Sequence, residues 1–323
     1  MKVNMVSAIN NALDLSMQEN KDVVLLGEDI GKDGGVFRVT DGLQAKYGEK
    51  RVIDTPLAES GIIGTAIGMS LGGLHPVAEI QFAGFMYLGF SQLVNHASRY
   101  RARTRSIYPI PMVVRTPVSG GVKTLEHHSD SPEVYYSHIG GLIVVTPSNP
   151  YDAKGLMIKA LKMQDPVVFL EPTKLYRLFK QDIPDESYEV EIGKANLAAE
   201  GNDLSIITYG TMVPLVKDVV EKKKVSADIL DLRTINPLDE KAIIQTAMKT
   251  GRVLIVHEAS LSFGAGAEIA ARIADKAFFE LKAPIMRVGS FSFPYPFPGY
   301  EKYYIPNEVK VSQAIDKIMA VQE

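Results

Sequence analysis

"RVIDTPLAESGIIGTAIGMSLGGLHPVAEIQF", residues 51–82, holds a complete strand, helix and strand in thirty-two residues. Its two ends, "RVIDTP" (51–56) and "PVAEIQF" (76–82), are short, rich in Val and Ile and bounded by Pro, as buried strands are. Between them lies a helix over 59–73 that is apolar or Gly on every side, which predicts burial all round. Two strands joined by such a helix run parallel, and strands apolar on both faces belong to a parallel sheet covered on both sides. One carboxylate, Glu59, stands at the front of the helix. An unpaired carboxylate among apolar residues neutralises, finds a partner or does chemistry. A helix-start acid satisfying backbone N–H groups is the plain alternative.

Outward from this unit the same alternation continues. "VVLLGED" (23–29), "PMVVRTP" (111–117), "LIVVTPS" (142–148) and "PVVFLEP" (166–172) read as strands, with helices predicted over 5–19, 84–104 and 150–163. Residues 173–203 are polar, with Pro and Gly, and read as a linker with an edge hairpin. A second series follows: strands at 204–210, 227–233, 252–258 and 285–290, with helices near 213–224, 239–250 and 265–281. The expected fold is therefore α/β, with two open α/β domains, the first at 1–185 with a mainly parallel sheet and a smaller one at 186–323. The length of 323 residues suits two domains at roughly 150 residues each.

Composition narrows function by exclusion. The chain is 46% hydrophobic and 23% charged with a net charge of −3, which gives no bias toward nucleic acid or an anionic membrane. It has no Cys, which removes thiolate nucleophiles, disulfides and Cys-held zinc. The first twenty residues read as an amphipathic helix rather than a signal peptide. Apolar runs near 61–74 and 80–94 fall short of the ~20 residues that span a bilayer, so a cytoplasmic protein is expected. No P-loop, no G-x-G-x-x-G after a strand and no nucleophile elbow is present.

Several residues stand out against this background. Gly64, Gly68 and Gly72 line one face of the 59–73 helix, for close packing inside the domain or for a helix crossing from a second chain. Glu28 and Asp29 follow the first strand, at the sheet end where ligands of open parallel sheets bind. The Gly-rich loop "VSGGVKTLEHHSDSPE" (118–133) carries His127, His128, Asp130 and Glu133 and is long enough to be functional. Neighbouring His side chains on an extended loop point apart, which favours general acid or base work over a metal site. Arg99, Arg101, Arg103 and Arg105 wrap around a helix, as residues of surface or interface ion pairs do.

Together with "LLGEDIGKDGGVFRVTDGL" (25–43), "HHSDSPE" (127–133), "VVTPSNPYDAKGL" (144–156), "DPVVFLEPTKLYR" (165–177), "DLRTINPLD" (231–239) and "GRVLIVHEA" (251–259), the 51–82 stretch resembles the beta subunit of the decarboxylating component of 2-oxo acid dehydrogenase complexes, of the branched-chain and pyruvate type. The likeness runs in order over nearly the whole chain. It implies a transketolase-like pyrimidine-binding domain followed by a transketolase C-terminal-like domain. It also implies thiamine diphosphate shared with an alpha subunit, which supplies the GDG motif for Mg²⁺ and the diphosphate. "GKDGG" at 31–35 is not that motif, so this chain makes half a site.

By the same resemblance Glu59 is the acid that hydrogen-bonds the pyrimidine nitrogen, and Leu57, Gln81 and Phe85 contact the ring. Glu28 matches an acid of proton communication between paired sites. His128 matches the histidine at the mouth where the lipoyl arm arrives, with His127 as the competing assignment. A potassium site at Ala160, Met163 and Asp165 is implied by analogy. The implied partners are an alpha subunit in an α₂β₂ tetramer and the lipoyl and subunit-binding domains of a dihydrolipoyl acyltransferase, with branched-chain 2-oxo acids ahead of pyruvate as substrate. A non-catalytic scaffold subunit and a transketolase-like synthase half-site are the competing readings.

Overall fold

Runs of Val, Ile and Leu that are apolar on both faces gain most when neither face meets water. In the computed structural model, which describes residues 1–321, they do so. The short strand β1 (Lys2–Val3) leads into β2 (Val23–Gly27), β3 (Val52–Asp54), β4 (His75–Glu79), β5 (Val113–Val118), β6 (Ile143–Val145) and β7 (Val167–Pro172), with helices between them. Strands β2 to β7 pair in parallel in the order β6-β7-β5-β4-β2-β3. One face is covered by the Met5–Glu19 helix packed on the Pro150–Ala160 helix, and the other by the Glu59–Leu71 helix with residues 85–103. Asn4 starts the first helix by accepting the Ser7 N–H at 3.0 Å, and Asn149 starts the 150–160 helix through the Asp152 N–H at 2.9 Å.

The chain then contributes β8 (Gln181–Asp182), β9 (Asn196–Ala199), β10 (Leu204–Thr208), β11 (Ala227–Asp231), β12 (Thr234–Asn236), β13 (Val253–Ser260) and β14 (Met286–Ser290). Five of these form the second sheet, in the order β14-β13-β10-β11-β9, parallel except for β9. No hairpin forms between residues 173 and 203. Instead β8 pairs with β1 in a separate two-stranded sheet, and β9 adds to the edge of the second sheet beside β11. The short β12 leaves its neighbours and adds an antiparallel edge to β6, so residues beyond 186 complete the first sheet.

Two further differences concern helices. The expected helix over 84–104 is broken into a 3₁₀ turn (Phe85–Gly89), a short α turn, a π turn (Leu93–Ala97) and an α segment (Ser98–Arg103). Gly89 is pressed against Ile63 and the Glu59 carbonyl, with no room for a side chain, and the segment bends to fit that contact. The Glu59–Leu71 helix is not buried all round. Ile62, Ile63, Ala66 and Ile67 face the core, while Gly61, Thr65 and Gly68 are exposed. No helix among the described residues is long and apolar enough to cross a membrane.

Candidate active site

The carboxyl ends of β2, β3 and β4 meet at one place. There Glu28, just past β2, and Glu59, the first residue of its helix, are both buried, 7% and 5% exposed. No side chain caps the Glu59–Leu71 helix, so Glu59 does not act as the cap. Oε1 of Glu28 is buried with no hydrogen-bond partner among the described residues. Burial, and then the neighbouring charges of Glu59 and Asp29, push the Glu28 carboxyl above the usual carboxylate range. The loop after Glu28 is fixed from β3, where Asp54 accepts the N–H of Gly31 at 2.6 Å. Two buried carboxyl groups at the carboxyl end of a parallel sheet are able to accept hydrogen bonds from a ligand.

Around them the residues expected to contact the ring take different positions. Gln81 donates to Asp29 at 3.2 Å, Phe85 is partly buried, and Leu57 projects outward with 77% of its surface exposed. Phe82 is the hub of an aromatic wall, 5.6 Å from Phe37, 5.8 Å from Phe85 and 4.3 Å from the ring of His128. His127 and His128 lie on a 3₁₀ turn (Glu126–His128) and not on extended chain. The turn still separates them: His127 is exposed, while His128 faces Phe82 and keeps a buried Nδ1 without a hydrogen-bond partner among the described residues. Beside this loop a cleft of about 610 Å³ opens between the two domains, lined among others by Tyr87, Asp130, Tyr135, Glu258 and Tyr295. Glu28 and Glu59 do not line it.

Sequence reasoning missed the polar core directly beneath. Arg115 of β5 donates to both carboxylate oxygens of Glu171 on β7, at 2.6 and 2.7 Å, and also to Glu79 of β4. Tyr176 donates to the same Glu171 at 2.6 Å. All four residues are buried. Burial alone would raise the Glu79 carboxyl, and it does, whereas the two carboxylates hold Arg115 charged against the same desolvation. The available signal was one charge inside each of three apolar runs, "VAEIQ", "VVRTP" and "VFLEP", on strands that register Glu79 beside Arg115.

The remaining candidates sit apart. Asp165 is paired with Arg101 at 2.6 Å, and the Ala160 carbonyl accepts the N–H of Met163 at 3.1 Å. Arg103 donates to the Asn95 carbonyl and makes no ion pair there. Among the described residues no group of three His, Cys, Asp or Glu side chains could hold a metal ion.

Residues 1–178 match the transketolase pyrimidine binding domain and residues 193–311 the transketolase C-terminal domain. The chain is 47% identical over 319 residues to the pyruvate dehydrogenase E1 component subunit beta of Acholeplasma laidlawii, with 98% of each chain covered. It is 46% identical over 321 residues to the protein of the same name in Bacillus subtilis (strain 168), covering 98% of this chain and 99% of that one. A solved structure described as "Split gene transketolase, inactive beta4 tetramer" superposes over 100% of both chains with a TM-score of 0.81 at 22% identity, and so shares the fold.

Proposed function

The chain belongs to the family of beta subunits of the thiamine-diphosphate-dependent decarboxylating component of 2-oxo acid dehydrogenases, and from that premise we propose that it supplies the pyrimidine half of an active site completed by an alpha subunit. The observation that carries the reading is the pair of buried carboxylates, Glu59 and Glu28, with an orphaned oxygen between apolar walls. A scaffold subunit would gain nothing from burying them. A protonated ring nitrogen fits that place, and Leu57, Gln81 and Phe85 would hold the ring around it. When bound, thiamine diphosphate supplies the electron sink for decarboxylation of a 2-oxo acid.

The chain's own residues have four tasks in this proposal. Glu59 shares a proton with the ring nitrogen, Glu28 exchanges protons beside it, Phe82 and Phe85 exclude water, and His128 holds a proton at the mouth where the lipoyl arm is acylated. "GKDGG" is not the GDG motif with its following Asn, so we assign the phosphate and Mg²⁺ ligands to the alpha subunit of an α₂β₂ tetramer. Delivery to the lipoyl domain of an acyltransferase, a division at 185/186 and a cytoplasmic location belong to the same reading. So does a potassium ion near Ala160, Met163 and Asp165, at the end of the Pro150–Ala160 helix, where Arg101 holds the Asp165 carboxylate. The sequence alone put branched-chain 2-oxo acids first; the names of the relatives support pyruvate, and pyruvate is the substrate proposed.

Reconstitution tests this. The chain by itself should release no CO₂ from any 2-oxo acid, while with its alpha subunit it should form a tetramer that turns over pyruvate faster than branched-chain acids. Turnover by the single chain would overturn the half-site.

A further inference from the structure

The loop that carries His127 and His128 leaves β5 at Ser119 and returns at Ser131, closed by one backbone bond from the Ser119 N–H to the Asp130 carbonyl at 2.9 Å. Its first residues do not hold themselves in place. Ser119, Gly121 and Lys123 all have positive φ, 72°, 85° and 61°, and for the two non-glycine residues this is a costly conformation that surrounding structure must impose. That structure comes from the second domain. Glu258 on β13 accepts the Gly120 N–H at 2.5 Å and the Ser131 hydroxyl at 3.3 Å on a single oxygen, Oε1, so one atom ties both stems of the loop. Its other oxygen accepts the Thr211 hydroxyl at 2.8 Å, which fixes the side chain from behind.

Glu301 repeats the arrangement one residue along, accepting the Gly121 N–H at 2.6 Å and the Tyr295 hydroxyl at 2.5 Å. Both side chains are buried, 6% exposed each. A side chain on Gly120 would collide with the Tyr295 ring, so the backbone itself is seated on the second domain. At the far end the His127 carbonyl lies against Gly84, and His128 lies against Phe82 and Phe85. The loop is thus stretched between the two domains.

We propose that Glu258, seconded by Glu301, is a positioning residue: the second domain sets the loop that presents His128, and so fixes part of the geometry of a site whose other residues lie in the first domain. Only the effect on acyl transfer rests on the function proposed above; the anchoring does not.

The test uses the full chain in complex with its alpha subunit. Backbone amide exchange is followed across 119–131, and transfer to a lipoyl domain is assayed separately from CO₂ release with an artificial electron acceptor. Glu258→Gln keeps a carbonyl oxygen for Gly120 and Ser131 and should exchange like the parent. Glu258→Ala, which removes it, should speed exchange in the loop by at least about tenfold, with transfer to the lipoyl domain falling more than CO₂ release. If the Ala variant does not fold, Glu258→Asp, one methylene too short to reach, should show the same split from Gln. Unchanged loop exchange in the Ala and Asp variants, or an equal rise with Gln, would overturn the proposal. Faster loop exchange with undiminished lipoyl transfer would leave the anchor standing and overturn the role given to His128.

Discussion

Glu28 Oε1 and His128 Nδ1 are two buried polar atoms without a hydrogen-bond partner among the described residues, one beside Glu59 at the start of its helix and one against an aromatic wall. For the histidines this gives a directional expectation. His128→Ala should slow transfer to the lipoyl domain by about 10²-fold, the low end of what a positioned acid or base contributes. His127→Ala, at an exposed position, should cost much less. Rates of lipoyl acylation for the two variants check this, and the reverse order would move the role to His127. Glu59 was legible in the sequence because it is the lone charge at the head of an apolar helix. Glu79, Arg115 and Glu171 were not, because a charge near the end of an apolar run reads as the strand's boundary. Only the order β7-β5-β4 brings the three together.

At the scale of elements, the Gly face of the Glu59–Leu71 helix carries its own prediction. A Cβ added at Gly68 meets nothing within 4 Å, and one at Gly64 meets only the Gln92 side chain at 3.8 Å. Packing within the domain therefore does not explain these glycines; the close approach falls at Gly89 instead. Gly68→Leu should leave the isolated chain as stable as before, or up to about 1 kcal/mol more stable from helix propensity, yet weaken assembly with the alpha subunit. Denaturation midpoints beside sedimentation of the mixed subunits separate the two effects, and intact assembly would mean that no helix crosses there. Periodicity marked the Met5–Glu19 helix to the residue, since Asn4 caps it and apolar residues recur on one face. The break at 85–103 left no such mark, because a tertiary contact imposes it.

Across the whole molecule, the domains are joined by polar contacts as well as by β12. Tyr209 of the second domain donates to Glu133 of the first at 2.6 Å, and burial holds the Glu133 carboxyl at about 7 instead of 4.5. The folded chain therefore keeps a proton that the unfolded chain releases above about pH 4.5, so this group's contribution to stability is present at low pH and is lost as pH rises toward 7. Asp231, raised to about 7 chiefly by burial, acts in the same direction. Glu133→Gln keeps an acceptor for Tyr209 and should flatten the decline, with a gain on the order of 3 kcal/mol at pH 8 relative to pH 5. Urea unfolding at the two pH values measures it, and an unchanged slope would contradict it. Both sheets were legible as alternating apolar runs. The crossing of β12 was not, since three residues carry no period, and the Glu308–Met319 helix that covers the second sheet escaped the same reading despite its buried Val311, Ile315 and Ile318.

The central claim is that Glu59 serves the cofactor and not the fold. Hydrogen–deuterium exchange at the thiazolium carbon of thiamine diphosphate, in the complex of Glu59→Gln with its alpha subunit, tests it most directly when thermal stability is measured on the same sample. An amide keeps the shape of the side chain but cannot share a proton, so exchange should slow by about 10²–10⁴-fold while cofactor affinity and melting temperature hold. Exchange at the parent rate with a lowered melting temperature would make Glu59 a structural residue and contradict the account.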